Sequence, residues 1–377
     1  MIDFRKNIFI AKSSNPHLLV LKFKIMKKVV FVLGLFISFT SCKKEIINQS
    51  SAENQQSLNS SSNDALTAAA VKNGALVIAG STITDKINIL HNLGVNYLRY
   101  TIIMSDWTGT DAGFERYTSE GLHIVCNINY DDQASKGQAP KSFTKDMVTY
   151  RKKLGQILDK YKPEVAVIEN EETNKTYHTG PMSAYINELS NAVTVAHAKG
   201  VKVTNGGIHP QAVCYFVWKD YMDRGMTAEA DSWMNLTFNS SMKYSAEHPE
   251  ANNSTQFYWR QVDTLLNAYT TLNIDYVNMH IYEPINDVGN GKNTIPGCIA
   301  TMASYIKRRT GKPAMSNECG QRNTTPSLVT SMLQAFTTGS YPYAIWFSGD
   351  GENTKALTEK NGVLRSNGVA YKNFVTK

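Results

Sequence analysis

The chain has 377 residues, of which 42% are apolar and 19% charged, which excludes a disordered tail, a collagen-like fibre and a disulfide-stapled miniprotein. Its 39 basic and 32 acidic side chains give a net charge of +7, which invites nucleic acid or an anionic membrane as a partner. However, residues 1–41 hold Arg5, Lys6, Lys12, Lys22, Lys24, Lys27 and Lys28 against the single acid Asp3. Nearly all of the net charge belongs to this leader, so the body is close to neutral and no nucleic-acid surface is expected on it.

From Met26 the chain reads MKKVVFVLGLFISFTSC: two lysines, an apolar run from Val29 to Phe39, and small residues before Cys42. This is the pattern of an export signal, and the run is shorter than the roughly 20 residues of a membrane span. The earlier apolar stretch, Leu18 to Ile25, is broken by Lys22 and Lys24, so Met26 reads as the true start. The segment resembles a bacterial lipoprotein signal, in which the Cys, here Cys42, carries the lipid and becomes the mature N-terminus. Phe39 departs from the aliphatic residue usual at that place. The resemblance implies export and a lipid anchor on the cell envelope, at the outer membrane and facing periplasm or surface, with the lipid as the sole membrane contact. Residues 1–42 are thus the signal, and the Ser/Asn/Gln-rich stretch 43–72 is a flexible tether. Residues 73–377 are the working domain, expected to act as a monomer.

Cys126, Cys214, Cys298 and Cys319 show no C-x-x-C spacing, so no cysteine-held metal is expected. Cys126 and Cys319 lie in strand-like segments and read as free and buried; disulfide pairing is left open.

After residue 73, helical segments end in Gly and a β-rich run follows at once. The junctions fall at Gly94, Gly121, Gly200, Gly311 and Gly339, each read as a left-handed residue closing a helix. Strands are expected at 74–80, 95–103, 122–129, 164–170, 201–207, 275–282, 312–318 and 341–347. Helices are expected at 83–93, 143–161, 256–271, 295–309 and 326–338. In a further helix, Met182, Tyr185, Ile186, Leu189, Val193 and Ala196 form one apolar stripe. Eight strands alternating with helices predict an α/β fold, a single (β/α)8 barrel. The stretch 208–255 is expected as a loop-side insertion with a short helix near 226–236. An open dinucleotide-binding sheet is disfavoured, because no G-x-G-x-x-G follows an early strand.

Barrel chemistry sits at the C-terminal ends of the strands. The second strand carries Arg99, the third Asn127 and Asn129, the fourth Asn170 and Glu171, and the fifth Asn205. The sixth carries His280 and Tyr282, the seventh Glu318 and the eighth Trp346. Glu318 is the one acid between residues 311 and 349 and follows a small, apolar run where an unused charge is costly. Two carboxylates on opposite walls suit glycosidic cleavage, which needs an acid for the leaving oxygen and a carboxylate to attack or to activate water. By strand parity Glu169 points inward with Glu171, and Glu172 points away toward solvent. His209, Trp218, Trp233, Tyr258 and Trp259 are candidates for subsites or for packing.

IENEE, around Glu171, resembles the Asn-Glu signature of clan A glycoside hydrolases, and NECG, around Glu318, resembles their nucleophile strand. The resemblance covers about residues 74–350 through short motifs. It implies a retaining glycosidase on a (β/α)8 barrel, with Glu171 as acid/base and Glu318 as nucleophile. It also implies that Arg99, Asn170, Asn205, His280, Tyr282 and Trp346 bind substrate, with Trp346 flooring the sugar site. Glu172 stands where a Pro is frequent and no Trp precedes Asn170, so the family within the clan is open. On chemical grounds Arg99 and Tyr282 keep Glu318 ionised, and Glu171 needs a raised pKa to remain protonated. No metal or organic cofactor is expected. The rivals are a non-catalytic carbohydrate-binding barrel and a metal-dependent barrel hydrolase.

Overall fold

The computed structural model describes residues 70–132, 139–282, 297–321, 325–349 and 356–377, all within one compact unit, Ala65–Lys377. The signal, Cys42 and the tether up to residue 69 lie outside the described residues. Among the described residues no helix is long and apolar enough to cross a membrane.

The chain runs β1 (Lys72–Val77), α1 (Ile83–Leu93), β2 (Tyr97–Ile103), α2 (Ala112–Ser119) and β3 (His123–Asn129). It continues through β4 (Lys141–Ser142), α3 (Met147–Tyr161), β5 (Val165–Ile168), β6 (His178–Thr179), α4 (Met182–Ala198) and β7 (Lys202–Asn205). After α5 (Pro210–Asp223), α6 (Thr227–Thr237), α7 (Ser240–Glu247) and α8 (Ser254–Thr271) come β8 (Val277–Tyr282) and α9 (Gly297–Thr310). The last elements are β9 (Ala314–Gly320), α10 (Pro326–Thr338), β10 (Tyr343–Gly349) and α11 (Ser366–Val375).

Eight strands form one parallel sheet in the order β7-β5-β3-β2-β1-β10-β9-β8. Its two ends meet through the parallel bridges Thr204–Tyr276 and Ile208–Met279, and His280 N donates to Ile208 O at 3.0 Å. The sheet therefore closes into a (β/α)8 barrel, as the alternation predicts. β4 and β6 pair separately as a short two-stranded sheet.

Local chemistry explains the junctions. Thr82 and Asp85 form a reciprocal capping box that starts α1, and Gly94 ends it at φ 75°, where a Cβ would be strained. Gly121, Gly200 and Gly311 are left-handed too, but Gly339 has φ −78°. There Ser340 takes the left-handed turn, at φ 52°, and Gly339 serves close packing: a Cβ on it would lie 2.9 Å from Tyr341 and 3.2 Å from Ala300. α2, α5, α7 and α11 are helices that periodicity did not bring out. In α5, Ala212, Val213, Phe216 and Val217 are buried while Tyr215, Trp218 and Tyr221 pack against the core from other faces, so no polar face marks the period.

Val125, Val165, Val167, Tyr276, Met315, Tyr343 and Ile345 fill the barrel interior, and a larger cluster lies between strands and helices. At the N-terminal end, Glu164 accepts from Lys72 Nζ at 2.9 Å and from Tyr343 OH at 3.1 Å, and His123 Nδ1 lies 3.0 Å from it. Cys126, Cys214, Cys298 and Cys319 are all buried and free.

Candidate active site

At the C-terminal rim, Arg99 Nη1 ion-pairs with Glu318 Oε2 and Tyr282 OH donates to Glu318 Oε1. Arg99 lies in the middle of β2 and reaches the rim through its long side chain. Its second nitrogen, Nη2, donates to Asn170 Oδ1 at 2.7 Å, which orients that amide. Burial lowers the Arg99 pKa to about 10, leaving the guanidinium charged at neutral pH.

Beneath the carboxylates lies a layer of asparagines. Asn127 Nδ2 donates to the backbone oxygen of Glu169 at 3.1 Å, so Asn127 Oδ1 accepts from Asn317 Nδ2 at 2.6 Å. That turns Asn317 Oδ1 toward His280 Nε2, 3.0 Å away. An amide oxygen only accepts, so His280 carries its proton on Nε2. Its Nδ1 faces Glu171 Oε1 at 3.0 Å, a contact between two acceptors unless a proton lies between them.

Glu171 lies just past the end of β5, with φ 48°. A non-glycine residue in this region costs about 1–3 kcal/mol and persists where its surroundings impose it. Here Asn174 N donates to Glu171 O at 2.7 Å, Asn174 Nδ2 donates to Glu171 Oε2 at 2.7 Å, and His209 Nε2 lies 3.5 Å from the same oxygen. Burial pushes the Glu171 carboxyl up, but hydrogen bonds with His209 and His280 outweigh it and hold the group well below the ordinary carboxylate range. The expectation of a raised pKa is corrected for the free protein. Burial opposes charging of His209 too, yet bonding to Glu171 raises it, while burial keeps His280 low. The proton belongs to the Glu171–His280–His209 cluster as a unit rather than to Glu171 alone.

The β7 end is shaped by two glycines. A Cβ on Gly206 would lie 2.9 Å from the Glu169 backbone and 2.9 Å from Glu172, and one on Gly207, at φ 125°, would lie 2.3 Å from His280 Nε2. The NGG run at 205–207 was the available sequence signal for this close approach. His178, which sequence reasoning passed over, places its Nε2 2.8 Å from the backbone oxygen of Asn170.

Six of the expected residues, Arg99, Asn170, Glu171, His280, Tyr282 and Glu318, come together. Two do not. Asn205 is fully buried, donates to Glu172 Oε1 at 2.9 Å and Asn278 O at 3.1 Å, and accepts from Asn278 N at 2.7 Å. It joins β7 to β8 rather than facing a ligand. Trp346 is 0% exposed and packs edge-on at 5.7 Å against Tyr371 of α11, so it lies in the outer core and floors no sugar site. The neighbouring Phe347 packs edge-on against Tyr282 at 6.1 Å, and Tyr282 in turn reaches Glu318. Glu172 is also corrected: it is buried and accepts from Asn205 and from Tyr269 OH at 2.9 Å. Strand parity fails because β5 stops at Ile168 and both Glu169 and Glu171 have positive φ.

Glu171, His280 and Glu318 each offer one ligand atom within 4.8 Å of the others, a spacing that could hold a cation. Their partners leave little for one. Glu318 is given to Arg99 and Tyr282, His280 Nε2 to Asn317, and the guanidinium plus the cluster proton balance the two carboxylates.

No protein-family model matches the chain, and no curated protein matches it. Among solved structures it is similar to a GH30 endoxylanase from Clostridium papyrosolvens C71, at 13% identity and TM-score 0.48, over 81% of this chain and 72% of that one. It is also similar to a GH128 (subgroup II) endo-β-1,3-glucanase from Sorangium cellulosum, at 15% identity and TM-score 0.47, over 80% and 97% of the two chains. A GH128 (subgroup I) endo-β-1,3-glucanase from Amycolatopsis mediterranei gives 10%, 0.46, 80% and 99% for the same quantities. At identities and scores of this size, the chemistry rests on the site geometry alone.

Proposed function

We propose that the chain is a retaining glycoside hydrolase that cleaves β-glycosidic bonds of an uncharged oligo- or polysaccharide. The observation that carries this reading is the pair Glu171, just past β5, and Glu318, on β9, with one carboxylate oxygen of each within 4.8 Å of the other. Double displacement places the carboxyl groups about 5–5.5 Å apart, whereas inversion needs about 6.5–9.5 Å to admit a water between them.

In this reading Glu318, oriented by Arg99 and Tyr282, attacks the anomeric carbon and forms a glycosyl ester. The leaving-group oxygen takes its proton from Glu171. Water then enters; Glu171 accepts its proton, the hydroxide displaces the ester, and the sugar departs with Glu318 restored as a carboxylate. His209 and His280 keep that transferable proton within the cluster. Asn170, oriented by Arg99, donates to the hydroxyl next to the reacting carbon, an interaction that strengthens as positive charge builds on the ring. No step calls for a metal or organic cofactor.

The leader and Cys42 extend the proposal to location. A lipid on Cys42 and the tether 43–72 would hold a monomeric barrel roughly 30 Å from the envelope membrane, by coil scaling. Loss of membrane partition in Cys42→Ala tests that part.

The test of function is turnover by the purified chain on a panel of aryl β-glycosides and β-glucans. Glu171→Ala and Glu318→Ala are expected to lower turnover by several orders of magnitude, with chelators leaving the wild type unaffected. Sugar binding without product release would replace this reading with a carbohydrate-binding barrel, and loss of turnover on chelation would replace it with a metal-dependent hydrolase.

A further inference from the structure

The residue after Glu171 carries a carboxyl group that the reaction does not use. Glu172 is fully buried, and its Oε1 accepts from Asn205 Nδ2 of β7 and from Tyr269 OH of α8, each at 2.9 Å. Asn205 and Tyr269 are themselves fully buried. Asn205 cannot turn its amide over, because its Oδ1 accepts from Asn278 N at 2.7 Å while its Nδ2 also donates to Asn278 O at 3.1 Å. Its remaining N–H therefore needs an acceptor at position 172, and a buried donor left without one is costly.

The bonds run on from Asn205 and return to the site. Asn278 donates from Nδ2 to Asn317 Oδ1 at 2.6 Å and accepts at Oδ1 from Asn317 N at 2.9 Å. Asn317 Oδ1 also faces His280 Nε2, and His280 Nδ1 faces Glu171 Oε1, both at 3.0 Å. Polar contacts thus link the side chain of Glu172 to the side chain of Glu171 through β7, β8 and β9.

The backbone between these two side chains needs holding. Past Ile168 the chain leaves β5, and Glu169 and Glu171 adopt φ 62° and 48°, a conformation that non-glycine residues keep only where their surroundings impose it. Glu169 N donates to Ile128 O at 3.2 Å, Glu171 N to Gly206 O at 3.4 Å, and Asn174 N to Glu171 O at 2.7 Å. A regular strand would turn Glu172 outward. The left-handed turns and the burial of Glu172 therefore occur together, and whatever draws Glu172 inward sets where Asn170 and Glu171 point.

We propose that Glu172 is a positioning residue: held by Asn205 and Tyr269, it fixes the left-handed turns that aim Glu171 at the bond to be cleaved. The inference rests on the reading of Glu171 as the acid/base. Burial pushes the Glu172 carboxyl up from its ordinary 4.5, so what it supplies is an accepting oxygen more than a charge. Gln offers the same oxygen, whereas Met keeps the length of the side chain and removes it.

The test compares wild type, Glu172→Gln and Glu172→Met as full chains, with Tyr269→Phe as a milder variant that deletes one of the two bonds. The first readout is hydrogen exchange of the peptide covering residues 169–174, with α1 as the remote reference. Exchange there is expected to be about tenfold faster in Glu172→Met, intermediate in Tyr269→Phe and unchanged in Glu172→Gln, with α1 unaltered in all three. The second readout is kcat/KM on two aryl β-glycosides that differ in leaving group. A dinitrophenolate departs without a proton and a phenolate needs one, so a misaimed Glu171 should cost about tenfold more on the phenyl substrate in Glu172→Met. Glu172→Gln should behave as wild type on both. Exchange in 169–174 that is unchanged in Glu172→Met or matched by α1, equal losses on the two glycosides, or a Gln variant no better than Met would overturn the proposal. If Glu172→Met does not fold, the same criteria apply to Tyr269→Phe. Exchange needs no substrate, so a chain that turned over no sugar would lose the hydrolase reading while the anchoring role of Glu172 was still decided.

Discussion

Gly207 lies against the ring of His280: a Cβ on this glycine would come within 2.3 Å of Nε2 and 2.4 Å of Cδ2. The ring cannot retreat without breaking its contacts to Asn317 and Glu171, each 3.0 Å long. Gly207→Ala is therefore expected to lower turnover at least tenfold and to reduce stability by more than about 2 kcal/mol, the joint effect of strain at φ 125° and displacement of a packed ring. Gly225, at φ 73° with open space around it, is the control. Gly225→Ala should cost only about 1 kcal/mol and leave turnover intact. Paired melting and rate measurements check both.

The buried aromatic in the middle of β10 and its neighbour should separate in their effects. Trp346 packs against Tyr371 in the outer core, so Trp346→Ala is expected to cost about 3–5 kcal/mol of stability. Phe347 lies against Tyr282, so Phe347→Ala is expected to raise KM or lower kcat with a smaller loss of stability. Denaturant melts and steady-state kinetics distinguish the two.

The proton of the Glu171–His280–His209 cluster should set the alkaline limb of kcat/KM. Hydrogen bonding to Glu171 raises the His209 pKa against the effect of burial, so its proton persists above the ordinary histidine range and is lost as pH rises further. His209→Asn removes that reservoir and is expected to move the alkaline limb to lower pH. A profile unchanged between pH 4 and 9 would remove His209 from the proton path.

At the opposite end of the barrel, Glu164 joins Lys72, Tyr343 and His123. Burial pushes Glu164 up, but the bonds from Lys72 and Tyr343 outweigh it and hold the carboxyl below its ordinary 4.5. A lowered folded pKa means a stabilising contribution present above pH 4.5 and lost as pH falls toward the folded value. Glu164→Gln should therefore lose about 1 kcal/mol at pH 7 and less at pH 3, with turnover unchanged. Melts at the two pH values and one rate assay test this.

The barrel was legible because its signals are local. Helix-ending glycines at 94, 121, 200 and 311 and the strand runs behind them need no tertiary contact to be read. Of the six residues that meet at the rim, Arg99, His280, Tyr282 and Glu318 share that advantage, since they lie on β2, β8 and β9, and a strand fixes where its side chains go. Reasoning by alternation failed where the strand itself ended. β5 stops at Ile168, and the left-handed Glu169 and Glu171 turn Glu172 inward toward Asn205 and Tyr269, against its parity. Trp346 and Phe347 show the same limit: the family resemblance favoured the larger ring, while the register of β10 put the smaller one beside Tyr282. His209 and Asn174 reach Glu171 from segments outside the strands, and no spacing in the chain announces that approach.

The central claim is that Glu318 is the nucleophile of a retaining reaction. The most direct measurement is peptide mapping by mass spectrometry after incubation with a panel of 2-deoxy-2-fluoro-β-glycosyl fluorides. The fluorine slows both steps, and the good leaving group lets the covalent intermediate accumulate. A fluoroglycosyl adduct on the peptide containing Glu318, absent in Glu318→Gln, is the predicted result. Turnover that proceeds with inversion at the anomeric carbon, or an adduct carried by another residue, would contradict it.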